Sequence, residues 1–130
     1  MSNHRPDHDA DAVSDTMMLD VLETVEDRLD TLAAILADAR TAPQARQDTL
    51  RAFIGTIHSL KGLVRAFGLH GLAALCHRLE DRLAGQTAFN DALLALTGDV
   101  VQRLRDLAQD GLLHDPRLID QICDRLDRAA

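Results

Sequence analysis

The chain has no Trp or Tyr, three Phe, two Cys, three Pro and seven Gly in 130 residues. Each shortage excludes something. With almost no aromatic rings there is nothing on which nucleobases could stack, and a formal charge of −7 repels phosphates, so a nucleic-acid partner is not expected. Cys76 and Cys123 stand alone, which leaves no disulfide framework and no cysteine-based zinc site; they read as small buried hydrophobes. Long apolar runs are missing too. The longest, Leu32 to Ala37, is six residues, far short of a membrane span, and no apolar N-terminal segment resembles a signal peptide. A cytoplasmic location, with no membrane partner, is therefore expected.

What is present is leucine and alanine, 22 and 19 residues, within a hydrophobic content of 46%. That composition favours helices over sheets and suffices for one packed core. Residues 1–14 are polar and acidic, lack periodicity and contain Pro6; they read as a flexible tail. His4 and His8 are four apart there, but with Pro6 between them no metal site is expected.

A first helix is expected from Ser14 or Asp15 to about Arg40. Met18, Leu22, Val25, Leu29, Leu32 and Leu36 alternate steps of four and three, the seam of a bundle helix. Pro43 suits the first turn of a second helix, which runs to Phe67 with Leu50, Phe53, Ile54, Ile57, Leu60, Val64 and Phe67 inward and Gly68 as its stop. A third helix is predicted from Leu69 to Ala84 and a fourth from Phe89 to Asp110. Asp115 and Pro116 form a cap and first turn for a short last helix over 115–128. Connections of a few residues favour antiparallel neighbours. The expected fold is all-α: an antiparallel up-down four-helix bundle over residues 15–112 with an additional C-terminal helix.

The informative residues are those a bundle does not need. His58 falls on the flank of the second helix away from the apolar stripe, with Gly55 one turn before it and Gly62 one turn after. Each interior glycine costs a helix about 1 kcal/mol relative to alanine. Two of them leave the imidazole without neighbours along the axis, so that something large can approach it. Imidazole can be neutral, and so nucleophilic, near pH 7. Attack on a phosphoryl group would give an anionic phosphohistidine, and Lys61, one turn on, offers a compensating ammonium. Arg65 lies on the same side and Arg51 about two turns before. Residues 43–68 carry four basic side chains and one acid, +3, while the rest of the chain sums to −10. On the third helix His77 and Glu80 share a stripe beside the core face. A carboxylate there can fix the His58 tautomer and leave the other nitrogen free. Alternatively, His77 and Glu80 are an ordinary surface pair and His58 a solvated residue.

As a string, His58-Ser59-Leu60-Lys61-Gly62, with Gly68 six positions after the glycine, resembles the H-x-x-K-G signature of histidine phosphotransfer (HPt) domains. Phe67 to Gly85 is similar to the next helix of the phosphotransfer domain of CheA-type chemotaxis kinases, in which a His and a Glu occur in the order of His77 and Glu80. The likeness covers roughly residues 15–112. It implies that His58 accepts a phosphoryl group from a kinase ATP-binding domain and passes it to an aspartate of a response-regulator receiver domain. Glu80 would hydrogen-bond the ring, Lys61 would sit near the phosphoryl group, and Gly62 would make room for the partner. It implies no cofactor on this domain, with ATP on the kinase and Mg²⁺ on the receiver. Leu63, Val64 and Arg65 depart from the small residues usual after the glycine, so an atypical partner preference is expected, with Arg65 able to pair with acidic groups of a receiver.

Two other classes compete. A non-catalytic structural or dimerisation bundle needs no special His58, although a kinase dimerisation helix would carry an acid after its histidine, where Ser59 stands, and a proline soon after. A di-iron or di-manganese bundle enzyme needs two Glu-x-x-His motifs, and this chain has only the reversed His77-x-x-Glu80.

Overall fold

The structure is a computed structural model that describes the backbone of residues 4–129 and the side chains of residues 15–129. Among the described residues it is all-helical, with five α-helices: α1 (His4–Thr41), α2 (Arg46–Ala66), α3 (His70–Leu83), α4 (Asp91–Gln109) and α5 (Pro116–Arg128). None is long and apolar enough to cross a membrane.

α1 corrects the expected boundary. It begins at His4, ahead of Ser14 or Asp15, and continues through the segment expected to be a tail. Pro6 does not prevent this, because it falls in the first turn, where its missing N–H has no intrahelical partner to lose. The side chains of His4 and His8 lie outside the described residues. The seam is also shifted at its start. Among the described side chains of α1, Val21 is the first that is buried, followed by Val25, Leu29, Leu32, Leu36 and Ala39. Leu22, on the flank of that stripe, and Met18, before its first buried residue, are only half-buried.

The chain turns at the ends that local chemistry marks. Pro43–Ala45 form a single 3₁₀ turn before α2, where a continuous helix from Pro43 was expected. Gly68, at φ 75°, ends α2: its N–H donates to Arg65 O and the Leu69 N–H to Val64 O, at 3.2 and 2.9 Å. Those two bonds satisfy carbonyls that a helix end leaves open, and the positive φ is one that glycine adopts at no cost. Asn90 caps α4 by accepting from Leu93 N at 2.8 Å, and Asp115 caps α5 by accepting from Arg117 N at 3.0 Å.

α2 packs between α1 and α3; α1 also packs on α4, and α5 lies against α3 and α4. The helices enclose one apolar core. At its centre Phe53 of α2 is fully buried and meets Phe89 edge to face, ring centroids 5.6 Å apart. This ring of contacts fixes the rotation of α2. Leu50, Phe53, Ile57, Leu60 and Val64 point inward, so Arg51, Gly55, His58, Gly62 and Arg65 form the outward stripe.

Candidate functional site

His58 stands on the outer face of α2 with its side chain 72% exposed. It does not line the cleft of about 430 Å³ between α4 and α5, whose walls include Arg103, Leu107, Ile122 and Arg125. A single imidazole on an open helix face is placed to meet another macromolecule rather than to enclose a small substrate.

Its surroundings are built by α2 and α3 together. His58 Nδ1 lies 3.3 Å from Glu80 Oε2. The other carboxylate oxygen, Oε1, is shut off from solvent and faces Lys61 Nζ at 2.5 Å. Lys61 is only 15% exposed, its stem lying along the helix pair with the ammonium turned to α3. The Lys61 contact, opposed by partial burial and aided by His58, holds the Glu80 carboxyl below the usual carboxylate range. Glu80 is therefore ionised at neutral pH and can only accept, so the proton between it and the ring belongs to Nδ1. In the neutral ring Nε2 is then the nitrogen with the free lone pair. Beneath the carboxylate, burial pushes the Cys76 thiol up to about 12, with the negative charge of Glu80 adding to the effect. Cys76 is thus an inert part of the core.

The structure thus brings His58, Lys61 and Glu80 into one cluster, but Lys61 serves Glu80 directly and His58 only through it. Gly55 and Gly62 flank His58 with open space: a Cβ at either would meet nothing within 4 Å. Internal packing therefore does not require either glycine, and the room they leave is on the outside. Arg51 and Arg65 are exposed on the same stripe, and neither has an ion-pair partner among the described residues. Of the three residues that depart from the small ones usual after the glycine, Val64 is buried and Leu63 packs half-buried against the core, so only Arg65 alters the outer face.

His77 stands apart from this cluster. It is exposed and pairs along its own helix with Asp81, Nε2 to Oδ2 at 3.6 Å, with no hydrogen bond or ion pair to His58, Lys61 or Glu80 among the described residues. A residue that sequence reasoning passes over enters from the other side. Arg28 of α1 donates from Nη1 to Ser59 Oγ at 2.5 Å, beside the histidine. A sequence shows Arg28 as a base on an acidic helix but not that its face of α1 meets α2.

Comparison with known proteins bears on the family of the chain. The sequence matches the Hpt domain over residues 16–130. It is similar to the chemotaxis protein CheA of Cereibacter sphaeroides, 32% identical over 94 residues, spanning 69% of this chain and 13% of that protein. No solved structure gives a significant match. With an exposed histidine tethered to a glutamate from the neighbouring helix and a family match across nearly its whole length, the chain belongs to the Hpt domain family.

Proposed function

We propose that this domain is a phosphoryl carrier of a chemotaxis-type two-component system, with His58 as its phosphoacceptor. The observation that carries the reading is the His58–Glu80 contact on an exposed helix face, which keeps the proton on Nδ1 and Nε2 free. In the forward step the Nε2 lone pair attacks the γ-phosphorus of ATP held by a histidine kinase domain. The N–P bond forms as the bond to the bridging oxygen breaks, and ADP leaves. The ring then carries a positive charge shared over its two nitrogens, and the ionised Glu80 stabilises it through the Nδ1 proton. In the second step a receiver aspartate oxygen attacks phosphorus and the N–P electron pair returns to Nε2. Phosphoryl transfer of this kind depends mainly on positioning and electrostatics, which a rigid helix supplies.

The machinery left to the partners is ATP on the kinase and Mg²⁺ on the receiver, with no cofactor on this domain. Arg51 and Arg65 form a basic rim for an acidic receiver face, Gly55 and Gly62 clear its approach, and His77 lies at the edge of that surface. We read the helix arrangement as an antiparallel up-down bundle of α1–α4 on which α5 packs as an addition. The test is incubation with a CheA-type kinase catalytic portion, ATP and a receiver domain. Wild type should acquire and pass on label, and His58→Gln should acquire none while remaining folded. Undiminished labelling of that variant would falsify the assignment.

A further inference from the structure

A phosphoryl group on His58 brings negative charge to a face whose nearest ammonium is already engaged. Lys61 is held against Glu80 and is mostly covered, so it offsets the carboxylate rather than a new anion. Arg51 and Arg65 are seven residues from His58 in either direction, about 10 Å along the helix axis. Arg28 reaches α2 from the neighbouring helix at the position that follows His58. Its guanidinium bonds the hydroxyl of Ser59, the residue next to His58, and has no carboxylate partner among the described residues. The direction also fits. Nδ1 is turned to Glu80 on α3, and the two nitrogens of the planar ring diverge, so the Nε2 lone pair points away from that carboxylate. α1 packs on the opposite flank of α2 and carries Arg28 there.

We propose that Arg28 is the phosphoryl-contacting cation of this domain: once His58 is phosphorylated, its guanidinium leaves Ser59 Oγ for a phosphoryl oxygen on Nε2. The exchange replaces a bond to a neutral hydroxyl by one in which donor and acceptor both carry charge. The guanidinium fork suits a phosphoryl group and cannot lose its charge at any relevant pH. The inference rests on His58 being the phosphoacceptor. The charged groups around His58 are then Arg28 from α1, Glu80 from α3, Lys61 of α2 turned to Glu80, and Arg51 and Arg65 two turns away on α2.

The test phosphorylates the chain with phosphoramidate, whose P–N bond breaks as the Nε2–P bond forms and ammonia leaves. The second ionisation of the phosphoryl group is then followed by ³¹P NMR. Arg28→Gln should raise that midpoint by about half a pH unit or more, since a nearby cation favours the dianion. Arg28→Lys should restore part of the shift, and Ser59→Ala should leave the midpoint at the wild-type value. In wild type, the Arg28 guanidinium signals should move on phosphorylation, a readout that needs no variant. A wild-type midpoint in Arg28→Gln together with unmoved guanidinium signals overturns the role of Arg28. Absence of any phosphoryl uptake on His58 overturns the phosphoacceptor reading and this inference with it.

Discussion

At the scale of single residues, the chemistry turns on which partner Lys61 serves. The sequence suggests an ammonium for the phosphoryl group, because Lys61 is one turn from His58. The structure instead turns it to Glu80, which it keeps ionised. In the proposed mechanism Lys61 acts on His58 through Glu80. Lys61→Met should raise the Glu80 titration midpoint toward the ordinary glutamate value of about 4.3, measured by side-chain carboxyl NMR. The sign follows from linkage. A carboxyl with a depressed folded-state pKa adds stability that is present at neutral pH and lost as pH falls through its folded midpoint. The variant should therefore show a smaller loss of stability on acidification below pH 5 than wild type. Glu80→Gln should slow phosphorylation of His58 by about 10-fold or more, because a neutral amide no longer stabilises the charge on the ring. An unchanged rate would leave Glu80 a surface residue. That Glu80 of the third helix could reach the His58 ring was legible in the sequence. The isolation of His77 was not, because its pairing with Asp81 depends on the rotation of α3 and on rotamers that spacing does not show.

At the scale of elements, the ends that carry local chemistry were the readable ones. Gly68 stops α2 and the pair Asp115-Pro116 starts α5, since a positive φ, a cap and a fixed ring are properties of those residues alone. The start of α1 was not readable, because polar composition and a proline argue against a helix only when the proline is interior. The glycines of α2 make the sharpest prediction here. Both occupy open helical positions, so Gly62→Ala should stabilise the fold by up to about 1 kcal/mol, read as a higher denaturation midpoint. The same substitution should slow transfer to a receiver, because the methyl group stands one turn from His58 on the docking face. A variant that is both more stable and fully active would show that the space around His58 is not used. In the core, Phe53→Ala should cost about 3–5 kcal/mol, as expected for a fully buried ring in an edge-to-face pair, and chemical denaturation would measure it.

At the scale of the whole molecule, the shortage of positive charge is unevenly spread. A chain of −7 places +3 on residues 43–68, whose helix carries His58. Arg28 adds a base from α1 to the same face. Exposed bases such as Arg51 and Arg65 beside His58 on an acidic chain favour the approach of an acidic partner, and salt weakens such steering. Raising ionic strength from about 0.05 to 0.5 M should slow bimolecular transfer to a receiver in stopped-flow assays while leaving the fold unchanged. The overall class was legible because leucine periodicity and short connections leave few alternatives. That consecutive helices would be neighbours was legible from the same short connections; the rotation of α1 that turns Arg28 to Ser59 was not. The central claim is that Glu80 holds the Nδ1 proton and leaves Nε2 to react. Two-dimensional ¹H–¹⁵N and ³¹P spectra of the phosphorylated chain test it most directly: the phosphoryl group should sit on Nε2 of His58, with Nδ1 still protonated. A phosphoryl group on Nδ1, or on any residue other than His58, would contradict it.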